Sequence, residues 1–270
     1  MDNTVKEPLI HLSKREDMSF GKKWLVRIIA ILLSLIVCAG FIFIIIKMNP
    51  VEVYEGIVEG AVGTGRRFWV TARDALTLLC VAVAVTPAFK MKFWNIGAEG
   101  QILMGCVASA AMMIYAGNAL PTGLLLVLMF VCSFIAGGIW GIIPAFFKAR
   151  WNTNETLFTL MLNYVAMQVV TFCIVYWENP AGSNSVGIIN APTRAGWFPQ
   201  LFGLDYGWNL AIVLLLTVLM FIYMKRTKHG YEIAVVGESE NTARYAGINV
   251  GKVIVRTVGI SGGIAGIAGF

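Results

Sequence analysis

Seven long apolar runs dominate this chain, near residues 28–46, 75–89, 102–116, 123–147, 155–177, 208–224 and 253–270. The longer ones match the roughly 20 residues that a bilayer-crossing helix requires. Runs of about 15 residues need flanking residues or a broken, partly buried helix to cross. In lipid the backbone must satisfy its own hydrogen bonds, so the runs are expected as helices. Composition agrees: with 58% hydrophobic and 13% charged residues, there is too little polar surface to coat a water-soluble globule of 270 residues. The sequence predicts an all-α, polytopic transmembrane helical bundle of about seven spans.

Charge reads as topology. The formal net charge of +6 could point to nucleic acid, but the basic residues cluster between apolar runs with no basic stripe interleaved with aromatics, so no nucleic-acid partner is expected. Lys and Arg number five in 1–23, two in 90–101, two in 148–154 and five in 225–252, against five on the opposite side, four of them in 47–74. The positive-inside rule then places the N-terminus, with a polar tail over 1–23, in the cytoplasm. Nothing resembles a cleavable signal peptide, and the first run is retained as an anchor. The segment 47–74 is expected outside, although its basic "GRRFWVTARD" also suits an interface. The loop 178–209, carrying Pro180, Pro192 and Pro199, is too polar to cross and is expected as an outer platform.

Several chemistries are disfavoured. Cys38, Cys80, Cys106, Cys132 and Cys173 all lie in apolar runs without paired close spacing, and neither His11 nor His229 neighbours a Cys or acid cluster, so no metal and no cofactor are expected. "GISGG" at 259–263 resembles the nucleophile segment of rhomboid proteases, but no apolar run carries a histidine to activate Ser261, and no catalytic residue is assigned. Gly259 and Gly263, Gly262 and Gly266, and Gly137 and Gly141 are spaced four apart, which suits close helix packing. An ion-coupled carrier would place acids or histidines inside its spans, and only Glu99 qualifies as a coupling acid. No Gly-x-x-x-x-Gly-Lys-Ser/Thr loop is present, so any nucleotide-driven work falls to another subunit.

Two stretches carry polar groups close to lipid. In "KMKFWNIGAEGQILMG", residues 90–105, Asn95, Gly97 and Gly100 favour an interrupted helix, and Asn95, Glu99 and Gln101 are candidates to face a polar solute. Glu99 either bonds solute hydroxyls or caps neighbouring backbone. In "NETLFTLMLNYVA", Asn163 and Tyr164 lie eight or nine residues into a span, where they either line a pathway or form a helix-to-helix hydrogen bond. A third stretch, "SENTARYAG" at 239–247, predicts a short helix: Ser239 as N-cap, Glu240 in the first turn and paired with Arg244, and Gly247 in a left-handed C-terminal cap.

"NIGAEGQ" at 95–101, "NETLFTLMLNYVA" at 154–166, "GYEIAVVGESENTARYAGINV" at 230–250 and "SGGIAGIAG" at 261–269 occur in the order and at roughly the spacing seen in permease subunits of ATP-binding-cassette importers. The chain resembles the simple-sugar and nucleoside branch, and "NIGAEGQ" resembles its nucleoside side. "GESEN" at 237–241 departs from the more usual Gly-Glu-Asn-Pro, and the chain stops inside an apolar run where family members continue, so the resemblance implies C-terminal truncation. It also implies a permease domain over 24–270 in a bacterial plasma membrane, a non-enzymatic subunit forming the pathway for nucleosides. The implied partners are a cytosolic ATPase, a second permease chain and an extracytoplasmic solute-binding lipoprotein. The ATPase would dock on the cytoplasmic loop 225–252 at Ser239, Glu240, Ala243, Arg244, Tyr245 and Gly247. A simple-sugar permease is the alternative in the same class, and an ion-coupled secondary carrier the alternative from another.

Overall fold

The computed structural model describes residues 19–201 and 206–270, and the N-terminal tail expected over 1–23 lies mostly outside them. Among the described residues the chain is helical and contains no β-strand. Seven helices, at 20–46, 65–90, 98–116, 122–151, 155–176, 207–226 and 250–268, are long and apolar enough to cross a membrane. They coincide with the seven runs, extended at their ends by capping and charged residues.

The chain divides into two compact units, Met1–Phe68 and Trp69–Phe270. In the first, α1 (Phe20–Phe41) runs into a π-helical turn over Ile42–Ile46 and ends at Lys47, which takes a left-handed conformation with φ 57°. Helix α2 (Pro50–Val62) follows at once, because Asn49 caps it by accepting from the Val51 N–H and Pro50 occupies a first-turn position that needs no donor. The Tyr54 hydroxyl donates to the Leu35 carbonyl at 2.7 Å and ties α2 to α1. The segment 47–74 thus contains α2 and the start of α3 (Gly65–Lys90).

The second unit is built on α4 (Ala98–Ala116), α5 (Thr122–Trp151) and α10 (Val250–Ala268). Their contact is made by glycines. A Cβ added at Gly266 would lie 2.2 Å from the Ser133 carbonyl oxygen, one at Gly137 2.4 Å from that of Gly262, and one at Gly105 2.2 Å from that of Gly266. Only residues without a side chain let three backbones meet so closely, which is the use expected for the glycine pairs. Ser109 and Ser133 pair at 2.7 Å between α4 and α5, and Ser133 also donates to the Gly105 carbonyl. Helix α6 (Glu155–Tyr176) packs on α4, and α7 (Gly207–Arg226) contributes Met220 to a cluster with Ala84, Ile264 and Ala265.

One end of this bundle carries two further helices, α8 (Lys228–Glu238) and α9 (Glu240–Tyr245), so the expected loop 225–252 is largely helical. They close over Ala88, Met91, Phe93, Ala145 and Ile254. At the other end the connection from α6 to α7 folds back on the helices: Ala195 packs against Leu125 and Met129, and the Asn190 amide donates to the Met113 and Ala195 carbonyls.

Candidate functional site

Helix α3 stops at Lys90 because Lys92 takes a left-handed conformation, φ 60°, and α4 does not begin until Ala98. The expected interruption inside one helix is thus a seven-residue connection between two complete helices, 91–97. Its backbone is held by side-chain amides. Asn95 Oδ1 accepts from the Gly97 N–H at 3.1 Å, and the Asn95 and Gln101 amides pair reciprocally at 3.2 and 3.3 Å. Asn163 from α6 accepts from the Gly100 N–H at 2.9 Å and donates to the Ile96 carbonyl at 3.1 Å. Gly97 caps α4 without a side chain. Asn163 therefore satisfies, across helices, a first-turn N–H that α4 itself leaves open.

Asn95, Gln101 and Asn163 are 2%, 1% and 4% exposed. The cluster also meets α5: a Cβ at Gly141 would lie 3.2 Å from Gln101 Nε2. Gly141 precedes the end of α5 by ten residues, about 15 Å of helix. Buried away from water, an unsatisfied amide would cost several kcal/mol, and the mutual bonding removes that cost. The structure brings these three of the five pathway candidates together as a tether. Glu99 and Tyr164 stand apart from it and are exposed, Tyr164 at 61%. Glu99 occupies the first turn of α4, where a negative charge suits the helix dipole.

Three polar side chains that the sequence motifs did not single out for this role complete the layer. Trp140 Nε1, Thr257 Oγ1 and Ser261 Oγ are buried with no hydrogen-bond partner among the described residues. Trp140 Nε1 would stand 3.0 Å from a Cβ at Gly100. Thr257 and Ser261 are one turn apart on α10 and share the face of Ala265. Ser261 Oγ has no hydrogen-bond partner among the described residues, so the activating base that nucleophilic chemistry demands is not within its reach. Among the described residues, the buried polar side chains within the spanning helices are amides and hydroxyls, with the Trp140 indole N–H beside them and no charged group.

The second candidate region is α9. Ser239 accepts from the Thr242 N–H at 3.3 Å, and Arg244 reaches Glu240 at 3.7 Å. At the other end Gly247 has φ +77°, its N–H donates to the Arg244 carbonyl, and the Ile248 N–H donates to that of Ala243. This is the double bond pattern of a left-handed C-terminal cap. One assignment is corrected. Ala243 is fully buried within this chain, packed with Ile233, Val236 and Val250, so it does not belong to a docking surface. Tyr245, two residues on and 93% exposed, does face outward. Beside the start of α9 a polar cleft of about 170 Å³ is bordered by Lys92, Lys148, Glu155 and Glu238, with Lys148 and Glu155 paired at 2.9 Å.

The profile of the family described as the permease component of branched-chain amino acid transport systems matches residues 69–270. The guanosine ABC transporter permease protein NupP of Bacillus subtilis is 30% identical over 252 residues, 91% of this chain and 70% of that protein. The nucleoside ABC transporter permease protein NupB of Lactococcus lactis subsp. cremoris is 29% identical over 258 residues, 92% of this chain and 70% of that protein. A glucose ABC transporter permease protein of Haloferax volcanii is 27% identical over 253 residues, 88% of this chain and 64% of that protein. No solved structure matches the chain.

Proposed function

Because this chain belongs to the family of permease components of branched-chain amino acid transport systems, we propose that it forms the membrane pathway of an ATP-driven importer of nucleosides. The observation that carries the solute class is similarity to two nucleoside permeases over about nine-tenths of the chain. The neutral character of the buried polar layer supports it. A phosphate needs a cation or a cluster of donors to offset its charge, and the layer offers amides, hydroxyls and the Trp140 indole N–H, with no cation among them. The charged pair further along α3, Arg73 with Asp74 at 2.9 Å, neutralises itself. An uncharged nucleoside, with hydroxyls and ring nitrogens, suits such surroundings.

In this reading Glu99 and Tyr164 are the pathway residues that reach solute, and Asn95, Gln101 and Asn163 hold the shape around them. The N-terminus is cytoplasmic, by the distribution of Lys and Arg, and the membrane is a bacterial plasma membrane. An ATPase subunit docks at α9 through Glu240, Arg244 and Tyr245, with Ser239 and Gly247 fixing the helix ends. A second permease chain and an outer solute-binding protein complete the complex, the latter meeting the 178–209 connection.

Uptake of a labelled nucleoside into vesicles holding the whole complex should exceed uptake of its monophosphate and survive collapse of the proton gradient while ATP persists. Glu99→Gln should retain substantial uptake. Preference for the monophosphate, or abrupt loss with a protonophore at constant ATP, would overturn the reading. The glucose permease among the relatives favours one alternative, a simple-sugar importer. Competition of nucleoside uptake by glucose, but not by a second nucleoside, would select it.

A further inference from the structure

A groove of about 700 Å³ runs between α5 and α10 on the second unit. Its floor is Gly138 and Gly259, where a Cβ on Gly138 would lie 3.2 Å from the Gly259 carbonyl oxygen. Its walls are apolar side chains, among them Ile135, Ile139, Ile142 and Phe146 from α5 and Val255 and Ile260 from α10. The groove is not uniform along its length. At one end stand Arg150, Lys252 and Arg256, all exposed, and the lining contains no carboxylate. None of the three forms a salt bridge among the described residues. From Arg150 to Phe134 is sixteen residues of α5, about 24 Å, which exceeds the about 15 Å half-thickness of a hydrocarbon core.

Cations gathered at one end of a long apolar channel on a spanning helix pair match one chemistry: a phosphate headgroup with acyl chains below it. We propose that this groove is a binding site for an anionic phospholipid, its phosphate held by Arg150, Lys252 and Arg256 and its acyl chain laid over Gly138 and Gly259. A packed protein helix would satisfy the apolar walls but would leave three unpaired cations at its edge unless it brought acids. The lipid supplies both parts. The cations lie at the same end of α5 and α10 as the basic loop that carries α8 and α9, facing the leaflet whose anionic lipids attract Lys and Arg by about 1 kcal/mol each. This inference rests on the membrane setting and is independent of which solute is carried.

The full chain in nanodiscs of phosphatidylcholine doped with phosphatidylglycerol, read by native mass spectrometry, should retain phosphatidylglycerol in preference to phosphatidylcholine. A phosphatidylglycerol probe with a photoreactive acyl chain should label residues 134–146 and 255–260. Retention should fall about fivefold for each of Arg150→Gln, Lys252→Gln and Arg256→Gln, and about 100-fold for the three together. Lys225→Gln, Arg226→Gln and Lys228→Gln combined remove the same charge elsewhere on that end and should leave retention unchanged. Equal labelling by phosphatidylcholine, or equal loss in the control variant, would overturn the site. So would a disulfide between two copies carrying Ile139→Cys, which would assign the groove to a protein partner. The labelling of the unaltered chain decides the matter even if the triple variant fails to fold.

Discussion

Helices α1 and α10 are both long enough to cross a bilayer, yet they invert the rule that holds in water. The helix at 20–46 is the most apolar of the seven, and none of its most apolar stretch is buried within its own unit; α10 is far less apolar, and 67% of its corresponding stretch is buried. In water the more apolar helix would form the core. In lipid the tails are as apolar as leucine, so burial brings no hydrophobic gain, and helices associate through close packing and hydrogen bonds instead. Helix α1 spends its length on Ile, Leu and Val, which suit lipid, and α10 on Gly, Ser and Thr, which suit another backbone. Between these two helices burial follows the small residues, not the hydropathy.

The sharpest way to break that comparison is to add one methyl group to each helix. Gly266→Ala places a Cβ 2.2 Å from the Ser133 carbonyl oxygen and 3.1 Å from Gly137 Cα. Backbone cannot yield as a flexible side chain can, so the variant should lose monodisperse, folded protein in detergent, a cost at or beyond the about 1–3 kcal/mol typical of overpacking. Gly40→Ala in α1, where nothing lies within 4 Å, should be neutral or slightly stabilising, about 0.5–1 kcal/mol, because Ala favours helix. Equal thermal stability of the two variants would sink the close-packing account.

A second test sharpens the contrast within one short helix. Ala243→Glu inserts a charge into the wholly buried cluster beneath α9, and buried unpaired charge costs about 3–5 kcal/mol. Tyr245→Asp alters a side chain that is 93% exposed and should leave the melting temperature unchanged. Reconstituted complexes should then show Tyr245→Asp uncoupling ATP hydrolysis from uptake with a folded permease. Unaltered coupling would mean that this face of α9 is not the ATPase contact.

Much of this was legible before the structure. The seven spans follow from run length, and Ser239, the Glu240 and Arg244 pair and Gly247 mark out α9 by local chemistry. Such signals depend on neighbours in sequence, and a single chain displays them in full. The role of Asn163 was half legible. Its place eight residues into α6 says that it needs a partner, but the Gly100 N–H and Ile96 carbonyl lie more than sixty positions away, where no local rule reaches. The facing of Ala243 escaped for the same reason: six residues fix a helix but not which side meets Val250. Thr257 and Ser261, on one face of a glycine-rich helix, give no signal that separates packing from solute contact.

Adjacent residues in α6 give a smaller effect of the same kind. Asn163→Ala leaves the buried Gly100 N–H and Ile96 carbonyl without their partner, at about 1–3 kcal/mol for an unsatisfied group. Tyr164→Phe removes one exposed hydroxyl and should not shift the melting temperature. If Tyr164 reaches solute, however, its KM for nucleoside should rise while Asn163→Gln, which keeps an amide, restores part of the lost stability. A stability loss for Tyr164→Phe equal to that for Asn163→Ala would erase the distinction between tether and pathway.

The smallest effect comes from protons. His229 is buried at the start of α8, with Tyr223 of α7 on its Nδ1, Arg256 of α10 nearby, and Glu232 and Lys228 of its own helix around the same small cavity. Burial, and then the Arg256 charge, hold the imidazole below its ordinary value of 6.5, with Glu232 opposing. A group held neutral in the folded state contributes its full stability above pH 6.5. As the pH falls below 6.5 the unfolded chain takes up a proton that the folded chain refuses, and stability is lost until the folded histidine also titrates. Melting temperature should therefore decline below pH 6.5, and His229→Gln should flatten that decline while lowering stability at neutral pH through loss of the Tyr223 contact. A decline of the same size in His229→Gln would move its origin to other groups. Because α8 joins α7 to α10 at this point, the decline should also be steeper for amide exchange in α8 than in the glycine-packed centre of α10, where no titratable side chain is buried.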